Sequence, residues 1–376
     1  MQQMATPPAF LVVGGGPVGF AVALLLAKDG HRCTVYEGRS HIVHVPEESF
    51  PIGVNARGLH TLGLISPSLE AACRSTGKIV DAWEIFGGPQ KVAEQKSGVV
   101  CGTSRGKVNL LLAEAAASSA LISIVYSHRL RDVRIAKREL VFEVRGEDGQ
   151  KREVVVAVGA GASVVAAAGV NSAARTAMDA QEPGFLSRVT PWRNEFRVLF
   201  AAPGAAAPLL DERVHYIFSG AYAATVDNGG QQQWTLVMGA RDGAPDEERA
   251  LLLSENASEA NVAALRAMLR RLAPRVEPLL PDDELRRFFA RRTFRGAVVE
   301  VNRANAGEFL LLVGDAAHSV LPPTGEGINS GLEDAVVLAE CVRAGGGAPF
   351  ADYNARRTPD GLASRCSRLA RSALQA

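Results

Sequence analysis

The sequence predicts an α/β protein with a Rossmann-like domain, in which helices cover a parallel sheet. Two observations support this prediction. The apolar run 9–13 leads directly into a glycine-rich turn and a helical stretch, which is the strand–turn–helix order that opens a βαβ unit. Further along the chain, the apolar run 309–313 leads into a second turn, rich in proline and glycine, and another helical stretch. Runs that are apolar throughout are typical of parallel strands buried on both faces.

The composition is that of an ordinary globular protein. The chain has 376 residues, of which 47% are hydrophobic and 22% are charged, and this length is enough for two domains. Its 41 basic and 40 acidic side chains nearly cancel, so charge does not favour a nucleic-acid partner or an anionic membrane. No apolar run reaches the roughly 18 residues of a membrane span. We therefore expect a soluble protein without a nucleic-acid partner or a membrane span.

The cysteines indicate a reducing compartment. They stand at positions 33, 73, 101, 341 and 366, which is an odd number, and no two of them form a C-x-x-C pair. This pattern favours reduced thiols over a disulfide framework or a zinc site. We expect an intracellular protein, cytoplasmic or organellar, and we assign no metal ligands.

The first glycine-rich turn has the spacing of a dinucleotide-binding site. Residues 14–19 read G-G-G-P-V-G, and the strand predicted at 33–36 is followed by Glu37, eighteen positions after Gly19. In this motif the first glycine makes the turn, the second admits a pyrophosphate, and the third packs the helix against the strand. The acidic residue binds a ribose hydroxyl. A plain glycine-rich turn is the alternative, but the flanking strands and helix favour dinucleotide binding.

The second turn, within residues 313–335, predicts another ligand site. Asp315 follows the end of the strand 309–313, at the sheet edge where open α/β folds bind ligands. The helix predicted at 328–342 begins after two prolines and two glycines. Free N–H groups at a helix start, together with the helix dipole, favour an anionic partner, and Asp315 suits a polyol hydroxyl. A plain strand-to-helix loop would leave a group of small and polar residues unexplained: Gly325, Gly327, Asn329 and Gly331.

One flavin dinucleotide, FAD, would satisfy both sites. Its adenosine and pyrophosphate would lie on the first turn, its ribityl chain at Asp315, and its flavin ring over residues 325–329. The helix start would then stabilise negative charge on the reduced ring. Pro322 and Pro323 would form a rigid, apolar wall beside the ring.

With these motifs the chain resembles the single-component FAD-dependent aromatic hydroxylases (class A flavoprotein monooxygenases), and among them the kynurenine 3-monooxygenase branch. Further similar segments are 55-NARGLHTLGLI-65, 103-TSRGKVNLLLAEAA-116 and 353-YNARRTPDGLA-363. The Tyr-x-x-x-Arg-x-Pro-Asp pattern of the last segment indicates the kynurenine branch. In the family, the arginine that matches Arg105 contacts the dinucleotide. The residues that we predict to bind the cofactor are therefore Gly14, Gly16, Pro17, Val18, Gly19, Glu37, Arg105, Asp315, Pro322, Gly325, Gly327, Ile328 and Asn329.

The resemblance implies a substrate domain with a mixed sheet, inserted into the FAD-binding domain. The residues themselves show strand-like patterns at 81–86, 215–218 and 234–238 and a helical pattern at 255–272. The substrate pocket would lie between this sheet and the flavin ring, with apolar and aromatic walls. We expect an FAD-binding domain made of residues 1–75, 101–182 and 291–376, the last with a C-terminal helix, and a substrate domain made of residues 76–100 and 183–290.

The activity implied by the resemblance is FAD-dependent hydroxylation of a small aromatic substrate, kynurenine-like or less polar. NADPH or NADH would supply the electrons, and O2 would be the second co-substrate. Because FAD carries this chemistry, we assign no side chain as a catalytic acid or base. We expect a monomer or a homodimer.

Two departures from the family leave alternatives open. The family has an Ala-Asp-Gly before x-x-Ser-x-x-Arg, whereas 164-VVAAAGVNSAAR-175 has Ala168 at the Asp position, and 158-VGAGAS-163 imitates the same pattern. The chain also stops soon after Tyr353, so we expect no longer C-terminal part that closes the substrate site. The first alternative is a flavin-binding protein with little or no hydroxylase turnover. The second is another FAD-dependent oxidoreductase, such as a reductase.

Trp83 bears on the choice of substrate. In kynurenine 3-monooxygenases the first substrate-domain strand carries an arginine that pairs with the substrate carboxylate, and Trp83 aligns with it. An indole has one N–H donor and no charge, so it cannot replace a bidentate guanidinium. Lys78 or Arg74 could supply a charge from a neighbouring position. We expect a less polar or uncharged aromatic substrate in preference to L-kynurenine.

Overall fold

The computed structural model describes residues 9–45, 49–146, 149–228 and 230–357. The motif segment 353–363 is therefore described only as far as Arg357, and Cys366 lies outside the described residues. The remaining cysteines, at 33, 73, 101 and 341, are buried free thiols. None of the helices in the described ranges is long and apolar enough to cross a membrane.

Strands and helices are interspersed along the described residues, with several runs of consecutive strands. The strands are β1 (Ala9–Val13), β2 (Cys33–Tyr36), β3 (Pro51–Asn55), β4 (Lys78–Ile79), β5 (Ala82–Gly87), β6 (Gln90–Lys96), β7 (Val100–Ser104), β8 (Ile122–Val125), β9 (His128–Arg134), β10 (Glu139–Arg145), β11 (Lys151–Ala157), β12 (Ala162–Ala166), β13 (Ser187–Phe200), β14 (Val214–Phe218), β15 (Ala221–Asn228), β16 (Gln231–Ala240), β17 (Phe294–Val301), β18 (Asn305–Ala306) and β19 (Leu310–Leu312). The α-helices are α1 (Pro17–Lys28), α2 (Ala56–Ile65), α3 (Pro67–Ser75), α4 (Arg105–Ala117), α5 (Ala173–Gln181), α6 (Asp246–Leu253), α7 (Glu259–Leu272), α8 (Asp282–Ala290), α9 (Asp315–His318), α10 (Gly327–Ala344) and α11 (Pro349–Arg357).

A six-stranded sheet forms the first layer, in the order β18-β19-β12-β1-β2-β8. All neighbouring strands in it run parallel except the short edge strand β18. Its central strands are apolar because helices α1, α2, α4 and α10 cover one face while α5 and the small sheet β11-β10-β9 cover the other. The carboxyl ends of β1 and β19 therefore lie on the same edge of the sheet. The predicted α/β class is confirmed.

A seven-stranded mixed sheet forms the second large layer, in the order β17-β13-β16-β15-β14-β5-β6. Neighbours are antiparallel except β14 and β5. Its outer face packs on α6, α7 and α8, and its inner face meets α9 and the strands β3 and β7 of a small separate sheet. Side chains alternate between the two faces along each strand, so the register of the strands determines which residues face inwards.

The structure corrects one predicted element. The helix expected at 255–272 is shorter, because α6 ends at Leu253 and α7 begins only at Glu259. Ser258 caps α7 by accepting a hydrogen bond from the N–H of Asn261, and this cap sets the start of the helix.

The division into domains remains a proposal, which the strand pairing refines. β17 follows residue 290 yet pairs along β13 in the second sheet. In contrast, β4 lies within the segment 76–100 that we assigned to the substrate domain, but it does not join the second sheet. It pairs with β7, which also pairs with β3, in a separate small sheet. We propose that the crossings between the layers lie near residue 81 and just after Val301.

Candidate active site

The three motif glycines of the turn after β1 differ in their surroundings. Gly14 and Gly19 are tightly packed, whereas Gly16 faces open space. Gly14 has φ +109°, and a Cβ there would lie 2.6 Å from the carbonyl oxygen of Ala167. A Cβ on Gly19 would lie 1.9 Å from the carbonyl oxygen of Gly14. At Gly16, in contrast, a Cβ would meet nothing within 4 Å. The open space therefore lies at the start of α1, where the N–H groups and the helix dipole favour an anion.

Glu37 is held rigidly beside this turn. The N–H of Gly15 donates to its Oε2 at 2.8 Å, and Arg39 donates to its Oε1 through the backbone N–H (2.8 Å) and Nε (2.9 Å). Burial acts to raise the pKa of Glu37, but the hydrogen bonds from Arg39 and Gly15 outweigh it and lower the pKa. The carboxylate is thus ionised and oriented. Our sequence reasoning missed Arg39, although its position two residues after Glu37 was a usable signal.

Arg105 and Asp315 face a common groove. Neither side chain has a hydrogen bond to another described residue, and both are solvent-exposed. Desolvation by the surrounding protein nevertheless raises the pKa of Asp315, and the positive charges of His318 and Arg105 only partly oppose this rise. Desolvation also lowers the pKa of Arg105, and the negative charge of Asp315 only partly opposes this fall. The negative charge of Glu37 likewise acts to raise the pKa of Arg105. The charges of Glu37, Arg105 and Asp315 are therefore close enough to interact, and the region that these three side chains share is called the groove below.

The start of α10 lies next along the groove. Gly325 adopts the left-handed conformation (φ +65°), and a Cβ there would meet nothing within 4 Å. No side chain caps α10, which begins at Gly327, so the first N–H groups of the helix, those of Gly327, Ile328 and Asn329, have no partner within it. This end of the groove is therefore a second anion-binding helix start.

The side chain of Asn329 has a structural role that the sequence did not reveal. Its Oδ1 accepts from the N–H of Asn55 at 2.9 Å, and its Nδ2 donates to the carbonyls of Gly53 (3.0 Å) and Gly325 (2.9 Å). The amide is buried, both hydrogens of Nδ2 are donated, and Oδ1 has a partner. Asn329 can therefore contact a ligand through its backbone N–H only.

Val18 joins the two halves of the groove. A Cβ on Gly331 would lie 2.5 Å from Cγ2 of Val18, and one on Gly314 would lie 3.1 Å from the same atom. Gly331 is thus explained by the packing of α1 against α10, and not by a ligand. Pro322 closes another side, because a Cβ on Gly296 of β17 would lie 2.8 Å from Cδ of Pro322. The groove is thereby built against the second sheet.

A buried polar network supports the turn at Asp315. Asp334, fully buried in α10, accepts from the N–H of Gly314 (2.7 Å), contacts Nε2 of His318 (2.6 Å) and accepts from Nε of Arg357 (2.7 Å). Burial acts to raise the pKa of Asp334, but His318 and Arg357 outweigh it and lower the pKa. Arg357, from the Tyr-x-x-x-Arg motif, also donates to the carbonyl of Ser330 at 3.0 Å. The motif residue Arg357 thus supports the site indirectly, through its bonds to Asp334 and Ser330.

The structure also defines the register of the segment with Ala168. Val13 of β1 pairs with Ala166 of β12, so Ala168 follows that strand and lies beside the glycine-rich turn. The competing run 158–163 begins before β12 and is therefore not the motif. Arg175 is buried and donates to the carbonyl of Ala316 at 3.0 Å, which ties this segment to α9.

The inner face of the second sheet is mainly apolar and aromatic. By register and alternation, it presents the aromatic residues Trp83, Phe196, Phe200, Tyr222 and Phe294 and the aliphatic residues Val198, Ile217, Ala224, Val226 and Val237. Phe50, which precedes β3, packs edge-on against Phe196 and Phe294 with centroids 5.6 and 5.8 Å away. This face is suited to an aromatic ligand.

One polar cluster interrupts that face. Nε1 of Trp83 donates to Nδ1 of His215 at 3.2 Å, and the hydroxyl of Tyr222 lies 2.7 Å from the same nitrogen. An indole N–H can only donate, so Nδ1 is an acceptor and the imidazole is neutral. Burial lowers the pKa of His215 to about 4, which agrees with a neutral ring at pH 7. The single donor of Trp83 is therefore already used.

Together, a Rossmann-like sheet and a groove with two helix starts define a dinucleotide-binding protein. A family model described as FAD binding domain matches residues 9–359. The kynurenine 3-monooxygenase of Salinispora arenicola is 31% identical over 93% of this chain and 76% of its own length. That of Myxococcus xanthus is 28% identical over 89% of this chain and 71% of its own length. A tetrameric form of 2-methyl-3-hydroxypyridine-5-carboxylic acid oxygenase has TM-score 0.74 and 16% identity, and covers 98% of this chain and 93% of its own.

The chain belongs to the FAD-binding domain family, and it is an FAD-dependent monooxygenase. This class uses FAD as cofactor and NADPH as reductant. The sequence-based predictions of family, fold class, enzyme class and cofactors are confirmed. The open space at Gly16, the uncapped start of α10 and the unpartnered charges of Arg105 and Asp315 fit the shape and charge of such a cofactor.

Proposed function

We propose that this protein hydroxylates a small, uncharged aromatic compound, using FAD, NADPH or NADH, and O2. The observation that supports this proposal best is the meeting of the groove with the inner face of the second sheet, at Pro322 and Gly296. The names of the curated relatives also point to an aromatic substrate. Bound FAD would take electrons from the nicotinamide and activate O2. The protein supplies binding, orientation and a dry, apolar wall.

Each predicted cofactor residue has a proposed role in the groove. Gly16, with Pro17 and Val18 at the start of α1, would hold the pyrophosphate, while Glu37 accepts from a ribose hydroxyl. Arg105 would neutralise phosphate charge, and Asp315 would accept from the ribityl hydroxyls. The N–H groups of Gly327, Ile328 and Asn329 would hold the electron-rich edge of the ring, with Gly325 open above them and Pro322 as the wall. Gly14 and Gly19 shape the turn.

Asp315 provides a direct check of these roles. Asp315→Ala is expected to weaken FAD binding by about 1–3 kcal/mol, because a charged hydrogen-bond partner is lost. The stability of the FAD-free protein should not fall, since Asp315 has no hydrogen bond to another described residue. Titration of the apoprotein with FAD measures the first effect, and urea unfolding the second. Unchanged FAD affinity would show that the ribityl assignment is wrong.

The activity itself is tested on the purified protein. We expect a yellow protein that releases FAD on denaturation, and NADPH oxidation with O2 uptake that an aromatic compound stimulates and that yields a hydroxylated product. A flavin-binding protein with little turnover is the second candidate, favoured by Ala168 at the position of the family aspartate. Release of FAD without any stimulated oxidation across an aromatic panel would support this candidate. A protein that cannot be loaded with FAD would exclude both.

L-kynurenine is expected not to be the preferred substrate. Trp83 cannot pair with its carboxylate, since the indole N–H already donates to His215. The two basic residues that could pair with the carboxylate instead already form ion pairs. Lys78 pairs with Glu212 (2.8 Å) and Arg74 with Glu70 (2.8 Å). The measurement compares NADPH oxidation with L-kynurenine and with neutral aromatic compounds of one or two rings. Efficient formation of 3-hydroxykynurenine would contradict this prediction.

Assembly as a monomer or homodimer and an intracellular location stay predictions.

A further inference from the structure

A narrow pocket lies against the inner face of the second sheet, beside the start of α4. Its walls come from the segment before β3, from the start of α4, and from the ends of β13, β15 and β16. Phe50 and Phe200 form apolar walls, whereas Ser104, Gln233 and Thr235 are polar. The pocket is too narrow for a ring and suits a substituent.

The pocket adjoins the cofactor groove through backbone connections. Ser104 caps α4 by accepting from the N–H of Lys107 at 3.3 Å, and Arg105 is the first residue of that helix. The N–H of Arg105 donates to the carbonyl of Phe50 at 3.3 Å. A group bound in the pocket would therefore lie close to the cofactor.

Thr235 is the unusual member of the pocket wall. Its side chain is 1% exposed, and its Oγ1 has no hydrogen-bond partner in the structure. On the inner face it pairs with Phe200 on one side and Ala224 on the other, and neither side chain can hydrogen bond. A buried hydroxyl without a partner costs about 1–3 kcal/mol, and such exceptions call for an explanation. A ligand group that enters the pocket would supply the missing partner.

The charges around the pocket select a neutral group. Its acidic residue, Asp227, forms an ion pair with Lys107 of α4. Among the described residues that line the pocket, none is a lysine or an arginine. The histidine in the wall, His44, already hydrogen bonds with Ser104 at 3.1 Å. A carboxylate would therefore be desolvated beside Asp227 with no lysine or arginine in the wall to pair with, while a hydroxyl or amino group needs only the hydroxyl of Thr235 and its neighbours.

We propose that Thr235 is a specificity-determining residue, whose hydroxyl hydrogen bonds to a neutral hydroxyl or amino substituent on the aromatic substrate. This proposal rests on the proposed function for the presence of an aromatic ring, and goes beyond it by naming the substituent and its partner. The phenyl faces of Phe50 and Phe200 flank the approach, and the neighbouring inner face receives the ring.

The test measures binding to the full-length, FAD-loaded protein, without NADPH and without turnover. Phenol, aniline, toluene and benzoate are titrated by calorimetry and by changes in flavin absorbance. Phenol and toluene have nearly the same size, so their ratio of dissociation constants isolates the hydroxyl. The wild-type protein should bind phenol and aniline more tightly than toluene, and benzoate most weakly. In Thr235→Val, binding of phenol and aniline should weaken about three- to tenfold, with that of toluene unchanged or improved, and Thr235→Ser should restore the wild-type order.

Thr225→Val is the matched control. Thr225 lies on the neighbouring strand β15, is equally buried, and donates to the carbonyl of Glu212 at 3.3 Å. Its replacement should lower the unfolding midpoint and leave the phenol-to-toluene ratio unchanged, whereas Thr235→Val should leave the midpoint unchanged or raise it, because an unpaired hydroxyl is removed.

Two outcomes would overturn the proposal. One is a phenol-to-toluene ratio that Thr235→Val does not change, which would mean that the substituent does not hydrogen bond to this hydroxyl. The other is wild-type protein that binds neither phenol nor aniline. Failure of the proposed function shows instead as absent NADPH oxidation in the turnover assay, which these equilibrium titrations do not involve.

Discussion

Gly19→Ala is expected to abolish FAD retention and to destabilise the protein by at least about 3 kcal/mol. The new Cβ would lie 1.9 Å from the carbonyl oxygen of Gly14, which is backbone and cannot rotate away. Either α1 moves off β1 or the turn unfolds, and overpacking of this kind typically costs about 1–3 kcal/mol even where side chains can adjust. FAD content after purification and urea unfolding of the apoprotein measure the two effects.

Gly16→Ala is the control, because its Cβ would meet no atom within 4 Å and φ is −82°. The apoprotein should lose no more than about 1 kcal/mol of stability, which is the usual cost of alanine relative to glycine at an N-cap. FAD binding should nevertheless weaken strongly, because the methyl group occupies the open space at the start of α1. Wild-type affinity in this variant would mean that the pyrophosphate does not lie at Gly16.

Arg357→Met is expected to cost about 3–5 kcal/mol of stability and to weaken FAD binding. Removing one partner of a buried ion pair leaves the other charge without compensation, and Asp334 is 0% exposed. The same carboxylate fixes the N–H of Gly314, so the turn that carries Asp315 should loosen as well. Urea unfolding of the apoprotein and FAD titration measure these changes.

The neighbouring residue provides the comparison. Arg356 pairs with Glu340 at the surface, where both side chains are nearly half exposed, so Arg356→Met should cost no more than about 1 kcal/mol. The expected signature is a large difference between two adjacent arginines. Equal stabilities for the two variants would show that the buried network does not support the turn.

The parts of the site that could be predicted are those where one local segment makes the whole feature. The glycine-rich turn is such a case, because the packing of Gly14 and Gly19 and the opening at Gly16 depend on a strand and helix that adjoin in sequence. The position of Asp315 at the sheet edge is another, since it follows the apolar strand β19 after only Val313 and Gly314.

The parts that could not be predicted depend on partners far apart in the chain. His215 meets Trp83 because β14 and β5 happen to be neighbours in the second sheet, and no local pattern encodes that pairing. Asn329 looked like a ligand residue, but its side chain is used by β3. The hydroxyl of Thr235 is unpaired because the side chains of its cross-strand neighbours, Phe200 and Ala224, cannot hydrogen bond. No local sequence pattern indicates this.

The strand order of the first sheet has a consequence for synthesis of the chain on the ribosome. β1 lies in the middle of the sheet, yet β12 and β19 on one side of it are made much later. Synthesis at about 5–20 residues per second would place roughly 15–60 s between the emergence of β1 and that of β19. During this interval the apolar strand β1 lacks its later neighbours, and Val18 has neither Gly314 nor Gly331 to pack on. FAD can be captured only when the second half of its groove has emerged, so the exposed apolar surface of the first half is at risk of aggregation until then.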